Sequence, residues 1–172
     1  MNQTWLKYGI VYALITIAMT IVFYYLIDFK MSIQVFLSFG IMILFMVLAT
    51  LKERSNNGGY LTYGESLMTS YLTALVGIIA SFVLVVILLT VDPGLKEKLT
   101  QMSVDASKGM LEAMGLNEDQ IAEAMEKVEE EGASEFTIGK QFVGVITNSI
   151  FVFIIAAFIS LFLKKNRPEE KF

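Results

Sequence analysis

The 172-residue chain contains neither cysteine nor histidine. The lack of cysteine excludes disulfides, thiolate nucleophiles and cysteine metal sites. The lack of histidine removes the side chain that most often serves as a general base near neutral pH and as a metal ligand. The sequence also has no Gly-rich phosphate loop, G-x-S-x-G elbow, H-E-x-x-H motif or EF-hand spacing. We therefore expect a protein that is not an enzyme and that holds neither a cofactor nor a metal ion.

Charge is sparse and unevenly distributed. Hydrophobic residues make up 55% of the chain and charged residues only 17%. Residues 92–141 contain 12 acidic residues against 5 lysines, whereas the rest of the chain contains 8 basic and 5 acidic residues. So acidic a segment argues against nucleic acid as a partner.

Four stretches contain no Asp, Glu, Lys or Arg and are long enough to span a membrane, which takes about 20 apolar residues. They are residues 8–27, 31–51, 67–91 and 142–163. Together with the mean hydropathy of +0.63, they predict an all-α integral membrane protein, a four-helix bundle in a lipid bilayer. The first stretch is longer than the apolar core of a signal peptide, so we expect it to remain as a span.

Lysine and arginine near the span ends predict the orientation of the bundle. Residues 164–172, directly after the fourth span, contain four basic residues, and the linker between spans two and three adds Lys52 and Arg54. We therefore expect both termini in the cytoplasm and the acidic segment 92–141 outside.

Residues 92–141 are expected to form an amphipathic helical hairpin outside the membrane. Asp92 can cap the first helix, and Pro93 suits its first position. An apolar stripe then recurs every three or four residues, and Gly115 can end the helix in the left-handed conformation. The stripe consists of Leu95, Leu99, Met102, Ala106, Met110 and Met114.

The second helix of the hairpin begins with a predicted capping box, in which Asn117 is the N-cap and Gln120 follows three residues later. Leu116 and Ile121 flank this cap as a hydrophobic staple, and we expect Gly132 to end the helix. The predicted packing residues are Leu116, Ile121, Met125 and Val128, and the opposite face carries Asp119, Glu123, Glu126 and Glu130.

A hairpin of this size is too small to be stable alone, so its apolar face must rest on another surface. An anionic lipid surface is disfavoured by the acidic charge of the hairpin. The alternatives are the outer end of its own bundle near Phe29 and Phe136, a second copy of the chain, or a partner protein. The end of its own bundle is the favoured interpretation.

Single polar residues in or near the spans are the candidate functional residues. Glu65 could be a proton or cation site at the mouth of span three, but a capping box with Thr62 is favoured. Asp28 could face a pathway, but a role in ending or capping a helix is favoured. Gln34 and Asn148 could bind a solute, although interhelical hydrogen bonds, worth about 0.6 kcal/mol on average, are the commoner role.

Two patterns predict how the spans pack. Hydroxyl-bearing residues recur every four positions in span one, and this slanted ridge could line a polar crevice or pack against a neighbouring helix. The ridge consists of Tyr8, Tyr12, Thr16, Thr20 and Tyr24. Small residues four apart let helix backbones approach closely. They are Gly9 with Ala13, Thr73 with Gly77 and Ser81, and Ala156 with Ser160.

Several stretches resemble one bacterial family, that of the domain of unknown function 4199. They are "LKYGIVYALI", "GGYLTYGESLMTSYL", "VDPGLKEKL", "GLNEDQIAEAMEK" and the Lys-rich end. The resemblance covers nearly the whole chain. It implies a four-span architecture and a location in the bacterial inner membrane, but no activity and no functional residues.

Two functions from different classes are compatible with these features. The first is a non-enzymatic interaction or accessory protein whose outer hairpin contacts a second copy or a membrane-protein partner. The alternative is an oligomeric transporter or channel subunit for a small solute or ion, suggested by the ridge and the polar residues in the spans. A membrane enzyme is the weakest hypothesis, because acidic residues lie only at span ends or in loops.

Overall fold

The computed structural model describes residues 3–26 and 31–167, with the main chain alone at positions 31–32, 93, 127 and 129–135. The described chain is almost entirely helical. The helices are α1 (Thr4–Ile21), continued by a π-helical turn (Val22–Leu26), α2 (Met31–Asn56), α3 (Tyr63–Val91), α4 (Pro93–Ala113), α5 (Glu118–Glu135) and α6 (Ile138–Leu163). Asp28 and Phe29, which the sequence singled out, lie outside the described residues.

Four of these helices are long and apolar enough to cross a membrane. They cover Thr4–Leu26, Ile33–Asn56, Tyr63–Val91 and Ile138–Leu163. Large apolar side chains such as Phe36, Leu26 and Phe162 are exposed on the outside of the bundle. An apolar outer surface of this extent is typical of a protein that lies in lipid.

Helix α3 lies at the centre of the bundle and packs against α1, α2 and α6, while α1 also packs against α2. Small residues allow α1 and α3 to approach closely. A Cβ atom on Gly9 would lie 2.9 Å from Cβ of Val76, and one on Gly77 would overlap the ring of Tyr12. The predicted packing role of Gly9 and Gly77 is therefore confirmed, with Tyr12 lying over the bare backbone at Gly77.

Hydroxyl groups join the span helices where their apolar surfaces meet. The hydroxyls of Thr50 on α2 and Ser70 on α3 lie 2.7 Å apart, and the hydroxyl of Tyr71 lies 2.6 Å from that of Ser149 on α6. Each pair satisfies polar groups that would otherwise be costly in an apolar interior. The pairs also fix the register of α2 and α6 against α3.

The bundle end that carries the chain termini is tied together by main-chain and cation–π contacts. Leu61 and Lys165 exchange two main-chain hydrogen bonds of 2.8 Å. Nζ of Lys165 lies 5.6 Å from the ring centroid of Tyr60, and Nζ of Lys164 lies 5.9 Å from that of Tyr63. The basic stretch after α6 is thus held against the linker between α2 and α3. We call this the terminal end.

The opposite end carries α4 and α5, which pack against each other as a helical hairpin, and we call it the hairpin end. The predicted caps are confirmed. Asp92 accepts hydrogen bonds from the N–H groups of Gly94 and Leu95, and Gly115 has a φ of 75°. Oδ1 of Asn117 accepts from the N–H of Gln120 at 2.9 Å, and Oε1 of Gln120 accepts from the N–H of Asn117 at 3.2 Å.

The predicted end of the second hairpin helix at Gly132 is wrong, because α5 continues to Glu135. A glycine inside a helix costs about 0.5–1 kcal/mol relative to alanine. The glutamates before Gly132 and the alanine after it are better helix formers, and together they offset this cost.

The apolar stripe of α4 divides into two parts. Leu95 and Leu99, 2% and 5% exposed, are buried where α4 packs on α2 and α3. Met110 and Met114 are 67% and 65% exposed, so the prediction that Met110 joins the buried face is wrong. The reason is length: a helix of 21 residues is about 31 Å long. That exceeds the width of a pair of helices packed 8–10 Å apart, roughly 20 Å including side chains.

Candidate ligand-binding cavity between the span helices

At the hairpin end the four span helices diverge and enclose an open cavity of about 550 Å³. All four contribute to its walls, and α4 lies across its end with Leu99 and Met102. The polar lining residues are Tyr12, Thr16, Thr20, Tyr24, Gln34, Ser38, Ser81, Gln141 and Asn148. Phenylalanine, methionine, valine and isoleucine side chains supply most of the remaining wall.

One wall of the cavity is the hydroxyl ridge of α1. Four of its five members line the cavity, which agrees with the polar-crevice interpretation. The Thr16 hydroxyl donates to the carbonyl of Ala13, and the Thr20 hydroxyl donates to the carbonyl of Thr16, both at 2.9 Å. Because a hydroxyl has one proton and two acceptor lone pairs, both threonines can still accept a hydrogen bond from a ligand.

The π-helical turn at the end of α1 sets the position of the next two aromatic residues. Phe23 is buried, and both Phe23 and Tyr24 line the cavity. The side chain of Tyr24 lies near that of Gln34 on α2, and both residues line the cavity. Gln34 thus lies at the cavity wall near a polar side chain of another helix, and its interhelical hydrogen bond stays a prediction. Single π-helical turns are rare and occur frequently at functional sites.

Three polar side chains in the cavity have unused hydrogen-bonding capacity. Within the described parts of the chain, Ser38, Ser81 and Asn148 have no side-chain hydrogen-bond partner. For Asn148 the structure thus does not show the predicted interhelical bond. Its carboxamide can both donate and accept, and it lies on a different helix from the two hydroxyls. The cavity therefore offers donors and acceptors from three walls.

The base of α4 is fastened over the cavity by contacts with the end of α1. Nζ of Lys98 donates to the carbonyl oxygen of Tyr24 at 2.8 Å. The hydroxyl of Tyr25 donates to Oδ2 of Asp92 at 3.0 Å, while Oδ1 of Asp92 caps α4. These two contacts hold Leu99 and Met102 at the cavity. Helix α4 therefore covers the hairpin end of the cavity as a roof and does not project away from the bundle.

The cavity is uncharged, since none of its described lining residues is Asp, Glu, Lys or Arg. An ionised ligand group would therefore lose its hydration without gaining a countercharge, which is costly in an apolar site. Neutral groups that form hydrogen bonds would meet the amides and hydroxyls at much lower cost. The lining thus selects against charge in the ligand.

The cavity opens sideways, between the hairpin-end halves of α2 and α6. Val35 and Phe39 of α2 and Phe151 of α6 line the cavity and are also exposed on the bundle surface. The rings of Phe39 and Phe151 lie 6.4 Å apart between centroids, so the two helices come together at that level. The wall between α2 and α6 is therefore complete only toward the terminal end.

The structure brings together two of the four polar candidates from the sequence. Gln34 and Asn148 both line the cavity, whereas Glu65 lies at the terminal end. Oε2 of Glu65 accepts from the main-chain N–H of Thr62 at 2.9 Å and from its hydroxyl at 2.8 Å. The capping-box interpretation of Glu65 is confirmed.

Sequence reasoning did not single out Ser38, Gln141 or the apolar walls as parts of a site. Ser38 follows Gln34 by four residues and therefore shares its helix face. This spacing could have identified Ser38 as a neighbour of Gln34 in a polar site. Ser81 was included in the small-residue run of α3, and it lines the cavity rather than a close helix contact. No local pattern predicts that four separate helices leave space between them.

Two of the four predicted packing residues of the hairpin, Ile121 and Met125, lie next to α4. Leu116, Ile121, Met125 and Val128 are all half-buried. Ile121 and Met125 line a second hollow that α4 borders with Val104, Asp105 and Lys108. This second hollow lies between α4 and α5, has a volume of about 560 Å³ and is partly charged, since Asp105, Lys108, Glu112 and Glu118 line it.

The family model described as a protein of unknown function (DUF4199) matches residues 7–165. The chain belongs to this family. The match includes every helix that lines the cavity as well as the α4–α5 hairpin. No curated protein and no solved structure matches this DUF4199 chain.

Proposed function

We propose that this DUF4199 protein is a non-enzymatic membrane protein that binds an uncharged, membrane-soluble molecule in the cavity between its spans. The observation that carries the proposal is the cavity itself, open toward the bundle surface and lined by neutral polar groups on apolar walls. Its volume of about 550 Å³ falls in the range of 300–1,000 Å³ that is usual for small-molecule sites. Binding of this type is what a small-solute transporter subunit requires.

A non-enzymatic role is supported by the chemistry of the lining. Amides, threonine and serine hydroxyls and tyrosines are present, but no carboxylate, lysine or histidine accompanies them as a general acid or base. An activated nucleophile needs such a partner within hydrogen-bond reach. The lining is therefore suited to recognition of a ligand rather than to its conversion.

The proposed setting is the inner membrane of a bacterium, with both termini in the cytoplasm and residues 92–141 outside the membrane. The basic residues after α6 and at the end of α2 support this orientation. The charge and caps of α4 and α5 support a position in water for the hairpin. In this orientation the cavity lies in the outer half of the bilayer and opens to the lipid between α2 and α6.

A second candidate is contact with a second copy or another membrane protein through the distal half of the hairpin. The observation that favours it is the exposure of Met110 and Met114 on an otherwise polar hairpin. The chain has no cysteine, so a Met110→Cys variant carries a single thiol. Disulfide-linked dimers in intact membranes would support self-association. A product linked to another membrane protein would support a heterologous partner, and absence of both would exclude this candidate.

The proposed ligand can be tested by its dependence on Asn148. The wild type and an Asn148→Leu variant would be purified in lipid nanodiscs, and the molecules extracted from each would be quantified by mass spectrometry. Loss of a hydrogen bond from Asn148 to the ligand, worth about 0.5–1.5 kcal/mol, should lower the bound amount of one uncharged molecule about two- to tenfold.

Thr147→Leu is the matched control, because Thr147 is exposed next to Asn148 but does not line the cavity. A Ser81→Phe variant adds bulk inside the cavity and should displace the same molecule. An identical set of extracted molecules from all four proteins would contradict the proposal, since it would indicate bulk lipid alone.

A further inference from the structure

A buried carboxyl group lies at the terminal end, away from the cavity. Glu53 on α2 is only 2% exposed, and its Oε2 is buried without a hydrogen-bond partner in the described structure. Its face of α2 is otherwise formed by Met42, Met46, Ala49 and Thr50, all buried. Burial of an isolated charge is expensive, and ionisable residues inside membrane helices are usually functional.

Two buried hydroxyls near this carboxyl group also have no partner. They are the Oγ atoms of Ser66 on α3 and Ser160 on α6, both in residues with no exposed surface. Together with Oε2 of Glu53, they are the unsatisfied buried side-chain atoms of the described residues. Buried polar groups are nearly always hydrogen-bonded. Three buried oxygens without a partner at one end of the bundle therefore indicate a site that another group could occupy.

The helix register brings Glu53 and Ser66 to the same level. The 2.7 Å contact between Thr50 and Ser70 joins the antiparallel helices α2 and α3. Glu53 is three residues beyond Thr50, and Ser66 is four residues before Ser70, so both lie about one turn closer to the terminal end. Residues three or four apart share a helix face, which directs both side chains to the α2–α3 contact.

Ser160 approaches the same region from α6. It lies one turn before Leu163, whose carbonyl oxygen accepts a hydrogen bond of 3.3 Å from Arg54, the residue after Glu53. Leu61, which is 1% exposed, lies at this end and is held by its main-chain pairing with Lys165. The three oxygens without a hydrogen-bond partner therefore come from three helices at the terminal end of the bundle.

No described cationic side chain forms an ion pair with Glu53. The charged residues on the surrounding elements have other positions or partners. Arg54 donates to Leu163, and the Lys164 and Lys165 ammonium groups lie over tyrosine rings. Glu65 caps α3, and the remaining described cations at this end, Lys7, Lys52 and Arg167, are exposed. Among the described side chains, the buried carboxylate thus has no partner that would neutralise its charge.

We infer that Glu53, with the hydroxyls of Ser66 and Ser160, holds a monovalent cation, either a proton on the carboxylate or a sodium ion between the three oxygens. Divalent ions are disfavoured, since Ca²⁺ and Mg²⁺ sites usually contain several carboxylates or waters. No group of three or more acidic residues suited to a metal occurs among the described residues. A single carboxylate with neutral hydroxyls balances one positive charge.

The inference can be tested by the thermal unfolding of the full chain in nanodiscs at pH 5 and pH 8, with either choline or sodium as the cation. A ligand at about ten times its Kd should raise the unfolding temperature of a chain this long by about 3–6 °C. Stabilisation by sodium at pH 8 would assign a sodium ion. Stabilisation at pH 5 without a sodium effect would assign a proton.

Glu53→Gln should remove the dependence, because the amide has the size of the acid but cannot be charged. Glu97→Gln, on the exposed part of α4, is the matched control and should respond as the wild type does. If Glu53→Gln fails to fold, the carboxyl stretching band of the wild type can be followed by infrared spectroscopy at both pH values and in both salts. The inference would be overturned if the unfolding temperature of the wild type depended on pH and sodium no more than that of Glu53→Gln. A carboxylate band that neither pH nor sodium changes would also overturn it.

Discussion

Replacement of Gly77 by alanine should weaken the packing of α1 against α3. The added Cβ would overlap ring atoms of Tyr12, so the ring or the helix must move. Overpacking of this kind costs about 1–3 kcal/mol. Displacement of Tyr12 would also disturb its stacking on Phe45, where the ring centroids lie 5.7 Å apart.

Gly40→Ala is the matched control, because Gly40 lies in α2 with no atom within 4 Å of an added Cβ. Both variants gain the same intrinsic helix propensity, up to about 1 kcal/mol. The difference between them therefore isolates the contact with Tyr12, and it should be about 1–3 kcal/mol in favour of Gly40→Ala. The free energy of unfolding would be measured by titration with SDS in mixed micelles, followed by circular dichroism.

The same experiment on a Tyr12→Ala background identifies the cause. Without the ring, Gly77→Ala should cost no more than Gly40→Ala, since the two positions then differ little in available space. A double-mutant cycle gives this coupling directly. Equal unfolding free energies for Gly77→Ala and Gly40→Ala in the wild-type background would refute the reasoning.

Three further predictions concern caps and orientation. Asn117→Ala should cost about 1 kcal/mol and speed amide exchange in α5 several-fold, and unchanged exchange would show that this cap does not hold the helix. Thr62→Ala should destabilise the start of α3 by about 1 kcal/mol, measured by amide exchange, whereas Thr147→Ala is a near-neutral control. Equal amide exchange in these two variants would contradict the capping role of Thr62. A single cysteine at Met110 should react with a membrane-impermeant maleimide in intact cells, whereas one at Phe172 should react only after lysis; the reverse pattern would invert the proposed orientation.

The local signals of the sequence predicted the local structure well. Thr62 with Glu65, and Asn117 with Gln120, form reciprocal hydrogen bonds between residues three apart, so a short sequence window contains all the information. The four apolar stretches likewise predicted four helices, because their length and hydrophobicity are properties of each segment alone. Gly115 ended α4 as expected, since a positive φ is a local requirement.

The positions of helix ends and lateral contacts were harder to predict. The absence of charge predicts that span two ends at residue 51, whereas α2 continues to Asn56 and buries Glu53. Glu53 follows Met46 by seven residues and Thr50 by three, so it shares their buried face once the helix continues this far. Met110 continues the apolar stripe of α4, but burial depends on where the bundle ends, which the stripe does not encode.

The cavity could be predicted only in part. The ridge of α1, Gln34 and Asn148 were recognised as unusual polar groups in apolar helices. Their convergence depends on how far α2 and α6 separate at the hairpin end, which is set by packing among all four spans. The position of α4 as a roof depends on long-range contacts such as Lys98 with Tyr24, 74 residues apart.

Native mass spectrometry of the wild-type protein ejected from nanodiscs tests the proposed ligand cavity most directly. The proposal predicts a bound species of one defined mass, at one molecule per chain, which is uncharged and survives collisional removal of the surrounding lipid. It also predicts that this species is diminished in Asn148→Leu and retained in Thr147→Leu. The proposal would be contradicted by a spectrum that contains only bare protein. It would also be contradicted if both variants carried only the same broad series of nanodisc lipids.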